Sequence, residues 1–141
     1  MSRASLAFAI AASVTLPFAA HAATTKFHAT MNAASENPPT QSSGTGMVDA
    51  TLNTATRKLT WTATWSGLTG PAAAGHFHGP AAAGANAGVL VPWKGTMTSP
   101  LHGSATLTAA QMKDLQAGMV YANIHTAANK GGEIRGQMTA Q

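Results

Sequence analysis

The feature of this sequence that most restricts its fold is an alternation of apolar and polar residues that recurs in short segments. The alternation is clearest over residues 58–66, where Leu59, Trp61, Ala63 and Trp65 alternate with threonines. A period of two places one face of a β-strand against a core and the other in solvent. Glycine, proline and asparagine separate the segments, so the sequence predicts many short strands.

The segments together predict an all-β fold. Residues 108–118 form the one convincing helix, because Thr108 can cap it, Gln111 completes a capping box and Gly118 can end it. We therefore expect a Greek-key β-sandwich or barrel of about seven or eight antiparallel strands with one short helix. The predicted strands cover residues 26–33, 44–53, 58–66, 72–78, 89–93, 101–107, 119–126 and 133–139.

The first 22 residues resemble a secretory signal peptide. A short positive start, which includes Arg3, precedes an apolar run over residues 4–18, and small residues stand at Ala20 and Ala22. The run is too short to span a bilayer as a helix. We expect cleavage after Ala22, with Ala23 as the neighbouring option, a single domain over residues 23–141, and a periplasmic or secreted location. The alternative, an amphipathic anchor that stays attached, would need a polar face that this segment lacks.

The remaining composition excludes several classes of function. Without Arg3, seven basic residues stand against four acidic ones, a net charge of +3, and the basic residues form no run along the chain. This distribution does not favour nucleic-acid binding. The chain has no cysteine, so disulfides and thiolate chemistry are excluded, and a metal site would need nitrogen or oxygen ligands, or methionine sulfur.

Two histidines, His76 and His78, flank Phe77 in a predicted strand. Residues two apart point to the same face of a strand, so both imidazoles face one side. Two ligands on one rigid strand are nearly placed for a metal, and copper and zinc favour neutral imidazole nitrogen. A His-x-His pair alone is a weak signal, since half-buried strands also carry such pairs by chance.

A third histidine, His125, strengthens the metal hypothesis. It lies near the end of the predicted strand 119–126, beside a junction rich in glycine and small residues. Three histidines from two strands would form a T-shaped or open tetrahedral site with a free position, which a catalytic metal needs. The alternative is that His125 is a hydrogen-bonded residue at the rim that helps the chain to turn.

Other titratable residues are weaker candidates. We expect His28 to be solvated on the polar face of the first strand. His102 is either an exposed strand residue, which we favour, or a fourth ligand. Glu36 stands beside two prolines, where its carboxylate would cap a turn or reach a metal, and the turn is the favoured reading.

Glu133 and Arg135 are two residues apart and so share one strand face. One interpretation is a surface ion pair worth at most about 1 kcal/mol. The other is that Arg135 guides or holds an anion near the histidines. The sequence carries no G-x-S-x-G motif and no phosphate-binding glycine loop between strand and helix. Four acidic residues also make a paired-carboxylate glycosidase an unfavoured reading.

A series of different short motifs is spread along the chain from Lys26 to Gln137. They are Phe27-His28-Ala29, Glu36-Asn37-Pro38-Pro39, Gly67-Leu68, His76-Phe77-His78-Gly79-Pro80-Ala81, Gly84-Ala85-Asn86-Ala87-Gly88, Leu107-Thr108, Leu115, Gly118, Tyr121-Ala122-Asn123-Ile124-His125-Thr126, Asn129 and Gly132-Glu133-Ile134-Arg135-Gly136-Gln137. Together they resemble the CHRD domain, which is named for its repeats in chordin and found in many bacterial exported proteins. The resemblance implies a β-sandwich outside the cytoplasm and no particular activity. The usual CHRD pattern has no counterpart of His28 or His102.

The histidines are also similar in arrangement to those of copper-containing superoxide dismutases, which are exported Greek-key proteins. That likeness, an analogy and not an alignment, implies His76, His78 and His125 as ligands of one copper per chain, and Arg135 as the guide for superoxide or another small anion. The zinc-binding loop of those enzymes has no clear counterpart here. The alternatives are a non-enzymatic extracellular binding or matrix module, whose loops engage a protein or glycan, and a periplasmic copper carrier.

Overall fold

The structure is a computed structural model that describes residues 23–141. The predicted signal peptide, residues 1–22, lies outside the described residues. Within the described part of the chain, none of the helices has the length and apolar character needed to cross a membrane.

The described chain forms nine strands, one α-helix and one turn of 3-10 helix. In chain order they are β1 (Thr24–Asn32), the 3-10 helix (Ala33–Ser35), β2 (Thr45–Asn53), β3 (Lys58–Ser66), β4 (Ala72–His78), β5 (Val89–Pro92), β6 (Leu101–Thr106), α1 (Ala109–Gln116), β7 (Tyr121–Thr126), β8 (Ile134–Gln137) and β9 (Thr139–Ala140).

The strands make one antiparallel sheet that curls into a nearly closed barrel, which confirms the predicted fold class. The order across the sheet is β5-β4-β7-β8-β1-β2-β3-β6, and β9 pairs with β1. Strand β9 was not predicted as a separate element, because the predicted strand over residues 133–139 covers β8 and the start of β9. The chain divides there at Met138, which is fully buried and whose backbone N–H donates to the carbonyl of Val120.

The inner face of the barrel carries the hydrophobic core. Alternate residues of each strand point inward, as Phe27, Ala29 and Met31 do on β1. Near β4 the core is aromatic: the ring of Phe77 lies edge-on to Trp61, with centroids 5.0 Å apart. Because Phe77 points inward, its neighbours on β4 point to the outer face of the sheet.

The α-helix has the predicted capping box. The Thr108 hydroxyl accepts from the backbone of Gln111, whose side chain accepts from the Thr108 backbone. The helix, Ala109–Gln116, is shorter than the predicted segment, residues 108–118. Gly118 then turns the chain in the left-handed region, with φ of 72°, which glycine adopts without strain.

Glu133 connects the loops at one end of the barrel through hydrogen bonds. Its side chain is fully buried, and its carboxylate accepts hydrogen bonds from a set of loop donors rather than from Arg135. The interpretation of Glu133 and Arg135 as a surface ion pair is therefore wrong. The donors are the hydroxyls of Ser42, Thr69 and Thr126, the Thr69 backbone N–H and the Asn129 amide.

These donors also set the acidity of Glu133. Burial alone would raise the pKa of its carboxyl group, but the hydrogen bonds from Ser42, Thr126 and Thr69 outweigh it and lower the pKa to about 2. The ionised form is therefore strongly favoured in the folded protein.

We predict that Glu133→Gln lowers the free energy of unfolding by about 2–4 kcal/mol at pH 7, because an amide group then faces donors that need an acceptor. Since the folded pKa lies below the unfolded value, the advantage of the wild type over the variant should be complete above about pH 4.5 and shrink as the pH falls towards 2. Urea denaturation across this range measures it, with Asp114→Asn as the matched carboxylate-to-amide control. A difference that does not change with pH would contradict the assignment.

Candidate metal centre

The pairing of β4 with β7 brings the three predicted histidines together on the outer face of the sheet. His76 lies opposite Asn123, His78 lies opposite Tyr121, and His125 lies opposite Ala74. Since side chains repeat every two residues along a strand, all of these point to the same face. His78 is buried, while His76 and His125 are half-buried.

The distances suit a common metal ion. One nitrogen from each of His76, His78 and His125 can be chosen so that all three lie within 4.8 Å of one another. The closest pair, His76 Nδ1 and His125 Nε2, is 3.0 Å apart. Metal–nitrogen bonds of about 2.0–2.1 Å place two ligands roughly 3.3 Å apart in a tetrahedral site and roughly 4.2 Å apart across the metal. Small ring rotations would therefore close the site, and the cluster could hold a metal ion.

Backbone carbonyls fix the tautomers of two rings. His78 Nδ1 lies 3.0 Å from the carbonyl oxygen of Ala87, and His125 Nδ1 lies 2.9 Å from that of Lys130. A carbonyl only accepts hydrogen bonds, so each Nδ1 carries a proton, and in the neutral ring the lone pair is then on Nε2. Such outer contacts orient metal-binding imidazoles in proteins.

The surroundings of His76 and His78 favour their neutral forms. Burial, together with the nearby His125 and His78 rings, lowers the pKa of His76 to about 4. Burial likewise lowers the pKa of His78, against the opposing effects of the Ala87 carbonyl and the neighbouring Asn123 side chain, which favour the charged ring. Neutral imidazoles at physiological pH are the form that coordinates a metal.

A loop of residues 79–88, called here the covering loop, lies against this face of the sheet. Its composition is mostly alanine and glycine, so it has few side chains that could anchor it by hydrophobic burial. Polar side chains hold its backbone instead: Tyr121 bonds to Ala87 through its hydroxyl, and Asn37 donates to the carbonyl of Gly84.

Arg135 is the main anchor of the covering loop. Its guanidinium donates to the carbonyl of Ala85 and to the side chain of Asn86, and the residue is 1% exposed. It lies 3.4 Å above the centre of the Tyr121 ring. The Tyr121 ring in turn stacks on His78 with centroids 4.9 Å apart. Arg135 thus reaches the histidines through Tyr121, and its predicted role as an anion guide stays a prediction.

Two polar residues, Asn123 and Glu36, are buried and in contact with each other beside the histidines, which the sequence did not indicate. Asn123 is 2% exposed and Glu36 is 6% exposed, and the Asn123 amide nitrogen lies 3.5 Å from the Glu36 carboxylate. The pKa of Glu36 is raised, because burial outweighs the lowering effects of the Arg135 charge and of the bond from Asn123. The reading of Glu36 as a turn residue is incomplete: its backbone closes the 3-10 helix, but its carboxyl group is buried against the amide of Asn123.

The other two histidines in the described chain lie elsewhere. His28, on β1, is hydrogen-bonded to Asp49 at 2.8 Å and to the hydroxyl of Thr30, so it is half-buried and paired rather than simply solvated. His102 is exposed on β6, as favoured, and contacts Thr62. Neither belongs to the cluster of three.

Two residues beside the histidines, Tyr121 and Asn123, were not predicted as site residues, although a pattern in the sequence points to them. Tyr121, Asn123 and His125 occur at every second position of one predicted strand, so they share a face. Reading that face as a unit would have joined Asn123 and Tyr121 to the histidine site.

We predict that Arg135→Lys lowers the free energy of unfolding by about 2–4 kcal/mol, because an ammonium group cannot donate to two loop acceptors while lying flat on the Tyr121 ring. Hydrogen exchange at the amides of Ala85 and Ala87 should also become faster. Arg57→Lys is the matched control, since Arg57 is exposed and its side chain makes a single hydrogen bond, to the carbonyl of Leu107. Equal effects of the two substitutions would contradict this role for Arg135.

Comparison with known proteins gives one match. Residues 27–138, most of the chain, match the model of the CHRD domain, and this stretch contains the three histidines, Asn123, Arg135 and the covering loop. Searches of curated proteins and of solved structures found no match. The sequence motifs, the antiparallel β fold and this match agree, and the chain belongs to the CHRD domain family.

Proposed function

We propose that this CHRD domain is an exported copper-binding protein, periplasmic or secreted, in which His76, His78 and His125 hold one copper ion per chain. The observation that carries the proposal is the cluster itself: one nitrogen from each of the three rings lies within 4.8 Å of the others. Export rests on the signal-peptide pattern of residues 1–22.

The ligand set favours copper or zinc over harder cations. Three imidazole nitrogens supply the cluster, and no carboxylate of the described chain belongs to it. Magnesium and calcium prefer oxygen ligands, whereas imidazole suits copper and zinc, and copper binds more tightly in the usual order of divalent metals. The absence of a second, zinc-binding loop in the sequence supports a site with copper alone.

Superoxide dismutation is the redox reaction that such a site would support. Copper held by His76, His78 and His125 would supply a centre that can be reduced and reoxidised in turn. The net reaction would convert two superoxide ions and two protons into dioxygen and hydrogen peroxide. The half-buried His76 and His125 leave the cluster open to a small molecule from one side, and the positive charge of Arg135, buried behind Tyr121, would add to the attraction of an anion.

A non-enzymatic role has an observation of its own. The histidines already have partners without a metal: His76 bonds to His125, His125 to Lys130, and His78 to Ala87. A hydrogen-bonded polar cluster that stabilises the covering loop would leave the exposed loops free to act as a binding or matrix module. A copper carrier is a third reading, which shares the metal site but lacks turnover.

We predict that the mature wild-type protein binds one copper tightly and that His76→Ala weakens binding by more than about 100-fold, since a site with two imidazoles remains. The matched control is His102→Ala, which removes an imidazole that lies outside the cluster. Copper content after dialysis and competition with a chelator of known affinity measure the effect. Loss of copper from both variants alike would contradict the assignment.

The same samples separate the three functions through the rate of superoxide decay. Decay catalysed by the copper-loaded wild type and by His102→Ala, but not by His76→Ala, would support dismutase activity. Copper bound without catalysed decay would leave the carrier. A wild type that binds no copper would contradict the metal proposal and leave the binding module.

A further inference from the structure

Asn123 lies in the middle of the histidine cluster. It is directly opposite His76 in the pairing of β4 with β7, and it precedes His125 by two residues on β7. Directly opposed side chains of an antiparallel pair have Cβ atoms about 4.5–5.5 Å apart. Asn123 is 2% exposed, so its amide group is shielded from solvent, and it lies near enough to His78 to affect the pKa of that ring.

Glu36 and Gly132 determine how this amide is turned. The Asn123 amide nitrogen faces the Glu36 carboxylate at 3.5 Å, and a carboxylate only accepts hydrogen bonds. A side chain at position 132 would collide with both groups, because a Cβ built on Gly132 would overlap Glu36 Oε1 and Asn123 Nδ2. Gly132 also has a φ of 126°, which favours glycine. With the nitrogen held by Glu36, the amide oxygen Oδ1 points away from Glu36.

Two buried acceptors are left without partners as a result. Neither Asn123 Oδ1 nor His78 Nε2 has a hydrogen-bond partner among residues 23–141, although both atoms are buried. The proton of the neutral His78 ring is on Nδ1, facing Ala87, so Nε2 presents a lone pair, as does the amide oxygen. Two acceptors without a donor require something between or beside them, either a cation or the two O–H groups of a water molecule.

We propose that Asn123 Oδ1 is a fourth ligand of the metal held by the three histidines, and that Glu36 is the positioning residue that turns the amide towards it. This inference rests on the proposed function. The donor set becomes three imidazole nitrogens and one amide oxygen, with the side chain of Glu36 behind the amide. Three-ligand metal sites accommodate a fourth and a fifth ligand during catalysis, so access for a small anion is kept.

The test uses copper(II) alone as the probe on the mature chain. Asn123→Leu removes the oxygen at similar volume, Asn123→Asp restores an oxygen and adds a charge, and His102→Ala is the control. We expect Asn123→Leu to weaken copper(II) about 10–100-fold and to change the electron paramagnetic resonance spectrum, and Asn123→Asp to recover or exceed the wild-type affinity. Glu36→Gln should also alter the spectrum, because a glutamine side chain can hold the amide in either orientation.

The outcomes distinguish the three-histidine copper site from the assignment of Asn123 Oδ1 as its fourth ligand. Unchanged affinity and spectrum in Asn123→Leu, with copper lost in His76→Ala, would overturn the fourth ligand and leave the three-histidine site intact, with a water as the partner of Oδ1. A wild type that binds no copper would overturn both. If thermal unfolding shows that Asn123→Leu does not fold, Asn123→Asp decides instead: a spectrum identical to that of the wild type would overturn the inference.

Discussion

The register between β4 and β7 is the constraint on which the candidate site depends. It sets His76 opposite Asn123 and His78 opposite Tyr121, and it brings His125 within reach of both histidines. A slip of one residue would turn one strand's polar side chains to the opposite face of the sheet. The inward residues Phe77, Ala122 and Ile124 oppose such a slip, since each is almost completely buried in the core. The burial of apolar residues on the inner face of the sheet thus fixes the positions of the histidines on the outer face.

The polar outer face is held as a network and not as separate pairs. Arg135 supports both the Tyr121 ring and the covering loop, and that loop in turn offers the Ala87 carbonyl that fixes the tautomer of His78. Glu133, two residues away, satisfies loop donors at the same end of the barrel. Buried polar networks of this kind are costly when any member is unsatisfied, so they specify one arrangement. A rigid arrangement of ligands lowers the ordering cost of binding a metal.

The fold and the three histidines could be predicted from the sequence because period-two alternation is a local signal. The alternation placed His76 and His78 on one face, and His125 was predicted as the third ligand from a second strand. The distance between these strands could not be predicted, because it depends on the pairing of β4 with β7, which are far apart in the sequence. The burial of Glu133 and Arg135 was not readable locally, because their partners, such as Ser42, Thr69 and Ala85, lie far along the chain. The contact of Asn123 with Glu36, which joins residues 87 positions apart, was not readable locally either. Only the place of Asn123 on the same strand face as His125 could have been read from the sequence.

Anomalous diffraction at the copper absorption edge, from crystals of the mature protein loaded with copper(II), would locate the metal. We expect a single strong peak per chain, about 2 Å from one nitrogen of each of His76, His78 and His125. Absence of a peak at the cluster, or a peak only elsewhere, such as at the His28–Asp49 pair, would contradict the proposed site.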